Sequence, residues 1–150
     1  DEGPRDARSI VLVHGFAASL HAWRPWVEEL GAEELGVERP DGRFRIITLD
    51  LPGHGLTRTP EGFKGSLDRN VELVGALAAH LQLPSFVLGG NSMGGAVSLG
   101  YAMARPDSLD GLVLVTAAGW HGEVADGRRG GNDCGRENWV LLWNNRVRVC

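Results

Sequence analysis

Ser92 stands with a glycine two residues to either side, in the run Phe86-Val87-Leu88-Gly89-Gly90-Asn91-Ser92-Met93-Gly94-Gly95-Ala96-Val97. A serine hydroxyl is a weak nucleophile until a general base and an anion-stabilising site are brought to it. The apex of a sharp strand-to-helix turn leaves the hydroxyl open to both, and Gly90 and Gly94 remove the Cβ atoms that would crowd such a turn. The chemistry on offer is attack on a carbonyl-type centre. The bare pattern is weak, because 22 glycines and seven serines in 150 positions give roughly 0.15 matches by chance. Its weight comes from the apolar run before it and the small-residue segment after it.

Other chemistry-bearing residues cluster in two short stretches. His14-Gly15-Phe16 ends one apolar run, and Asp50-Leu51-Pro52-Gly53-His54-Gly55 follows another. His14 at a strand end has the chemistry of a proton acceptor. His54, in a glycine turn, suits a structural hydrogen bond, and Asp50 suits side-chain to backbone bonds that fix its own turn. His21 and His80 lie in or beside predicted helices and are expected at the surface. Cys134 and Cys150 are the two cysteines, and they form neither a disulfide framework nor zinc-type spacing. No metal site and no cofactor are expected.

The elements that must position these groups alternate. Ser9-Ile10-Val11-Leu12-Val13 is a continuous β-branched run of the kind buried on both faces of a parallel sheet. Trp23, Trp26, Val27 and Leu30 then recur at helical spacing, with Pro25 in the first turn and Gly31 or Gly36 as the stop. Residues 44–49 form the second predicted strand. Ser66 caps a helix whose apolar face is Leu67, Val71, Val74, Leu77, Ala78 and Leu81, closed by Pro84. Residues 86–90 are the third strand, and the helix after Ser92 is expected to use Met93, Ala96, Val97, Gly100 and Ala104 before Pro106. Residues 111–116 make a fourth. The expected fold class is α/β, a parallel sheet of about four strands with flanking helices.

These motifs resemble the α/β-hydrolase family, in particular its bacterial esterase, lipase and carbon–carbon-bond hydrolase members. The resemblance covers residues 1–120 and rests on His14-Gly15-Phe16, Asp50-Leu51-Pro52-Gly53-His54-Gly55, Gly90-Asn91-Ser92-Met93-Gly94-Gly95 and Leu112-Val113-Leu114-Val115. It implies that Ser92 is the catalytic nucleophile and that the backbone N–H groups of Phe16 and Met93 form the oxyanion hole. His14, Gly15, Gly90 and Gly94 then support the motif, His14 by shaping the oxyanion loop rather than by moving a proton. In that family an acid and a histidine follow the nucleophile on later strands. Here His121 is the one histidine after Ser92, and Asp107 and Asp110 precede the fourth strand. Thr116 ends that strand where relatives often carry Asp. The chain is therefore expected to be a central fragment of the fold, residues 1–120 forming the partial core and 121–150 a poorly ordered tail outside the family pattern.

Within that tail, residues 139–149 are expected as a short strand or helix. Unpaired sheet edges would then favour aggregation. Two functions are open: a serine hydrolase acting on an ester or similar carbonyl through Ser92, or a catalytically inactive fragment or binding module without acid and base. The formal net charge of −4, with no basic face, argues against a nucleic-acid partner. No apolar run approaches the roughly 20 residues of a membrane span. A small ester-like substrate and a cytoplasmic location are the expectations; the oligomeric state is not legible.

Overall fold

Continuous β-branched runs need apolar cover on both faces, and they find it. The computed structural model describes residues 1–31, 44–59, 61–118, 139–143 and 146–149, and in it β1 (Ser9–Val13) is buried at all five positions. It lies between β2 (Arg45–Leu49) and β3 (Phe86–Asn91), parallel to both, and β3 pairs in parallel with β4 (Leu109–Val115). Val11 stands opposite Ile47 and Leu88, so the strands run in step. Alternate residues then face opposite layers. Val11, Val13, Ile47, Leu88, Leu112 and Leu114 pack with α2 (Leu67–His80) and α3 (Met93–Ala104), while Ile10, Leu12, Ile46 and Val87 pack with Trp23 and α1 (Arg24–Gly31). This is the expected α/β architecture, a four-stranded parallel sheet with flanking helices.

Strand order decides where loops meet. The sheet runs β2-β1-β3-β4 and continues as β5 (Trp139–Trp143) and β6 (Arg146–Val149). From β1 the chain crosses to β2 on one side, and from β3 it crosses to β4 on the other. Connections that leave neighbouring strands in opposite directions open a crevice at the strands' carboxyl ends. The residues after β1 and β3 flank that crevice, and they are the His14-Gly15-Phe16 and Ser92 segments.

Three details differ from expectation. β4 starts at Leu109, so Asp110 lies within its first residues, at the end of the sheet away from Ser92. α3 buries Gly94, Gly95, Val97, Ser98 and Tyr101, rather than the face through Ala96, Gly100 and Ala104. The turn at Ser92 rolls the helix so that its glycine pair faces the sheet and lets the backbones approach. Third, β4 is not an open edge: β5 pairs with it antiparallel, and β6 pairs antiparallel with β5. An unpaired edge of N–H and C=O groups accepts any adjacent extended segment, and residues 139–149 supply one in the strand form. The expectation of poor order for residues 121–137 lies outside the described residues.

Finally, the lead-in segment is tied down. Glu2 bridges Ile46 on the outer edge of β2, and the buried Arg45 guanidinium donates to the Asp1 carboxylate at 2.7 and 3.0 Å. No described helix is long and apolar enough to cross a membrane.

Candidate active site

The turn from β3 into α3 holds Ser92 in a conformation that L-residues avoid, with φ 51° and ψ −113°. Such a backbone costs on the order of 1–3 kcal/mol and persists only when the surroundings over-determine it. They do so here through the exit of β4. The Ser92 N–H donates to Val115 O at 3.0 Å, and Ser92 O accepts from the N–H groups of Ala96 and Ala118 at 3.2 and 2.9 Å. The Asn91 amide donates to Val115 O and to Thr116 Oγ1, at 3.3 and 3.0 Å. The two glycines are required on steric grounds. A Cβ at Gly90 would strike Gly94 O and Ser98 Oγ, and one at Gly94 would strike the carbonyl oxygens of Val13 and His14. The Ser92 hydroxyl makes no capping bond to α3, so the helix does not consume it.

The loop after β1 passes directly against this turn. A Cβ built on Gly15 would lie 3.2 Å from Ser92 Cβ and 2.9 Å from Asn91 Oδ1. Phe16 follows, 77 % exposed, and Met93 opens α3 with its side chain packed on the core. Among the described residues, neither the Phe16 nor the Met93 N–H donates to another backbone carbonyl. The first N–H groups of a helix have no partner inside it, and the helix dipole favours negative charge there. The fold thus brings together Ser92, Gly15, Phe16, Met93, Gly90 and Gly94 at one end of the sheet.

His14 is fully buried and committed elsewhere. Its Nδ1 lies 2.7 Å from Gly15 O, and its Nε2 accepts from the Leu51 N–H at 3.1 Å. With Nε2 accepting, Nδ1 must be the donor, so both ring nitrogens are engaged with backbone. His54 has its Nδ1 3.3 Å from Pro52 O, its ring 5.0 Å from that of His14, and the Phe16 ring edge-on at 6.0 Å. His21 and His80 are exposed. None of these four histidines has a hydrogen bond to Ser92 among the described residues. His121 lies outside them.

Asp50 is buried and has a wider reach than its own turn. Its Oδ1 accepts from the Leu20 N–H at 2.7 Å, and its Oδ2 accepts from the Leu56 N–H at 3.0 Å. Burial pushes its carboxyl pKa up, but the Leu56 and Leu20 donors, with the nearby imidazoles of His14 and His21, outweigh this and hold it below the usual carboxylate value. No signal in the sequence marks the bond to Leu20, which spans 30 residues. Asn91 and Thr116 were likewise invisible as a pair until β3 and β4 were set side by side.

Among the described residues, no three His, Cys, Asp or Glu side chains gather to hold a metal. A polar cleft between α1 and β2, lined by Leu20, His21, Arg24, Glu28 and Thr48, does not include Ser92, Phe16 or Met93.

Known proteins share this fold. The family model for the alpha/beta hydrolase fold matches residues 8–131. The chain is 35% identical over 118 residues to the 2-hydroxy-6-oxo-2,4-heptadienoate hydrolase of Pseudomonas putida, covering 79% of this chain and 40% of that protein. It is 39% identical over 126 residues to the dihydrolipoyllysine-residue acetyltransferase component of an acetoin cleaving system, also from Pseudomonas putida, covering 84% and 31%. The solved 2-hydroxy-6-oxo-6-phenylhexa-2,4-dienoate hydrolase of Rhodococcus sp. strain RHA1 superposes with a TM-score of 0.64 at 28% identity, covering 77% of this chain and 40% of that one. The chain thus spans between about a third and two fifths of the length of these relatives. A parallel sheet with its strand order reversing at β1 and β3, a strained serine at that crevice, and a match over most of its length together mean that this chain belongs to the alpha/beta hydrolase fold family.

Proposed function

We propose that this chain carries the nucleophile and the oxyanion-binding groups of a serine hydrolase that acts on a small ester or similar carbonyl compound. Ser92 Oγ adds to the carbonyl carbon, and the carbonyl oxygen becomes an oxyanion that accepts hydrogen bonds from the Phe16 and Met93 N–H groups. Collapse of the tetrahedral adduct expels the alcohol or other leaving group, which takes a proton, and water then hydrolyses the acyl-serine. A histidine oriented by an acid, carried by a part of the whole protein beyond the described residues, takes the serine proton and returns it to the leaving group. The observation that supports this most is how close the Gly15 backbone lies to Ser92, a Cβ built on Gly15 standing only 3.2 Å from Ser92 Cβ. Two relatives named as hydrolases of oxo-dienoates add that a carbonyl substrate suits the family.

A second reading has its own support. No described histidine or acid hydrogen-bonds Ser92, as expected of a binding module or inactive fragment. Hydrolysis of p-nitrophenyl acetate by the chain and by Ser92→Ala separates the two. A rate that drops to that of buffer on substitution supports the hydrolase; equal rates for both proteins favour the second reading.

A further inference from the structure

The loop that carries Phe16 is held mainly from outside. Its one internal backbone bond, Ala18 N–H to Gly15 O, is long at 3.4 Å. The stronger ties come from the turn after β2, residues 50–56. Asp50 grips both segments with one carboxylate, Oδ1 taking the Leu20 N–H at the far end of the Phe16 loop and Oδ2 taking the Leu56 N–H at the end of its own turn. The turn wraps that carboxylate so closely that a Cβ at Gly55 would collide with it. At the near end of the loop, Leu51 N–H bonds His14 Nε2, and the same imidazole bonds the carbonyl of Gly15, whose peptide contains the Phe16 N–H. His54 closes the arrangement, with its ring against both His14 and Phe16.

A carbonyl bonded to a buried ring fixes the plane of its peptide, and the N–H on the other side of that peptide turns with it. We infer that Asp50 and His54 are positioning residues that aim the Phe16 N–H at the crevice beside Ser92, acting from the turn after β2. They touch no substrate. The inference rests on Phe16 and Met93 being the oxyanion donors, and it distinguishes them: Met93 is aimed by α3 itself, whereas Phe16 depends on a turn about 35 residues further along the chain.

Phenylboronic acid tests this with the 150-residue chain labelled with nitrogen-15. Ser92 Oγ bonds to boron, the hydroxyl proton passes to buffer, and neutral trigonal boron becomes a tetrahedral anion that occupies the oxyanion position. In the unsubstituted chain the Phe16 and Met93 amide resonances both shift, and in Ser92→Ala neither does. In His54→Ala and Asp50→Asn the Phe16 shift is lost while the Met93 shift remains, and His54→Phe, which keeps a ring, restores the Phe16 shift. A merely structural role would weaken both amides together and would overturn the inference. So would a Phe16 shift that survives in His54→Ala. The His54 pair leaves every bond to Asp50 in place, so it decides the matter even where Asp50→Asn does not fold. Absence of both shifts in the unsubstituted chain overturns the oxyanion assignment itself, and this inference with it.

Discussion

The Ser92 turn and the Phe16 loop meet at one crevice but are held there by different means. Ser92 is clamped between regular elements by bonds to its own backbone: a strand before it, a helix after it, two glycines that permit the approach, and the exit of β4 at Val115 and Ala118 bonded to its N–H and C=O. The Phe16 loop has little internal bonding and is held by Asp50, Leu51 and His54, residues distant in sequence. A nucleophile that must sit in a strained conformation needs rigid support bonded directly to its own backbone. A loop that supplies a single N–H needs only to be aimed, and a neighbouring turn can do that.

The strongest way to break this contrast is Gly94→Val. Its Cβ would meet carbonyl oxygens of β1 and of His14, which belong to buried backbone and have no room to yield. We expect a loss of about 3 kcal/mol or more in urea unfolding. Asp50→Asn comes next, because it replaces one acceptor by a donor facing an N–H. A cost of about 1.5–3 kcal/mol is expected, the range for hydrogen bonds to a charged group.

That substitution also has a pH signature. The Asp50 carboxyl has a folded pKa below its ordinary 3.8, so the unfolded chain binds the proton first as pH falls. Its stabilising contribution is complete above that ordinary value and is lost as pH falls from there through the folded pKa. Melting temperatures taken from about pH 6 to about pH 2 should therefore fall less steeply at the acid end for Asp50→Asn than for the unsubstituted chain.

Ser92→Gly sharpens the comparison from the other side. Glycine accepts a positive φ without strain, so this variant should gain about 1 kcal/mol in thermal unfolding while losing all p-nitrophenyl acetate hydrolysis that depends on Ser92. The smallest effect is expected at a site remote from both loops. Ser66 Oγ caps α2 by accepting from the Arg69 N–H at 3.2 Å, and Ser66→Ala should cost about 0.5–1 kcal/mol without altering that hydrolysis.

Much of this was legible in the residues because it is local. The β-branched run at Ser9–Val13, the spacing of Val71, Val74 and Ala78, and the glycines around Ser92 each specify a conformation within a few residues. The buried face of α3 is not legible in its residues, because the roll of a helix depends on the turn that launches it, and a helix of mostly small residues carries little periodicity. Residues 139–149 fit strand and helix alike in the sequence for a related reason. An apolar run of five such as Trp139–Trp143 fits either, and pairing with β4 settled it. His14 could be assigned to shaping its loop from the family resemblance, but which ring nitrogen meets which backbone group required Leu51 to be placed beside it.

By itself, then, the sequence determined the alternation of strands and helices, the turn at Ser92 and the stretch that must run beside it, since these follow from side-chain period and from where glycine is needed. Only the tertiary structure decided that Asp50 reaches Leu20 across 30 residues, that His54 contacts Phe16, and that β5 closes the edge of β4. Those outcomes depend on strand order and on the direction of each crossover, which arise from packing the layers together and are written in no single stretch of the chain.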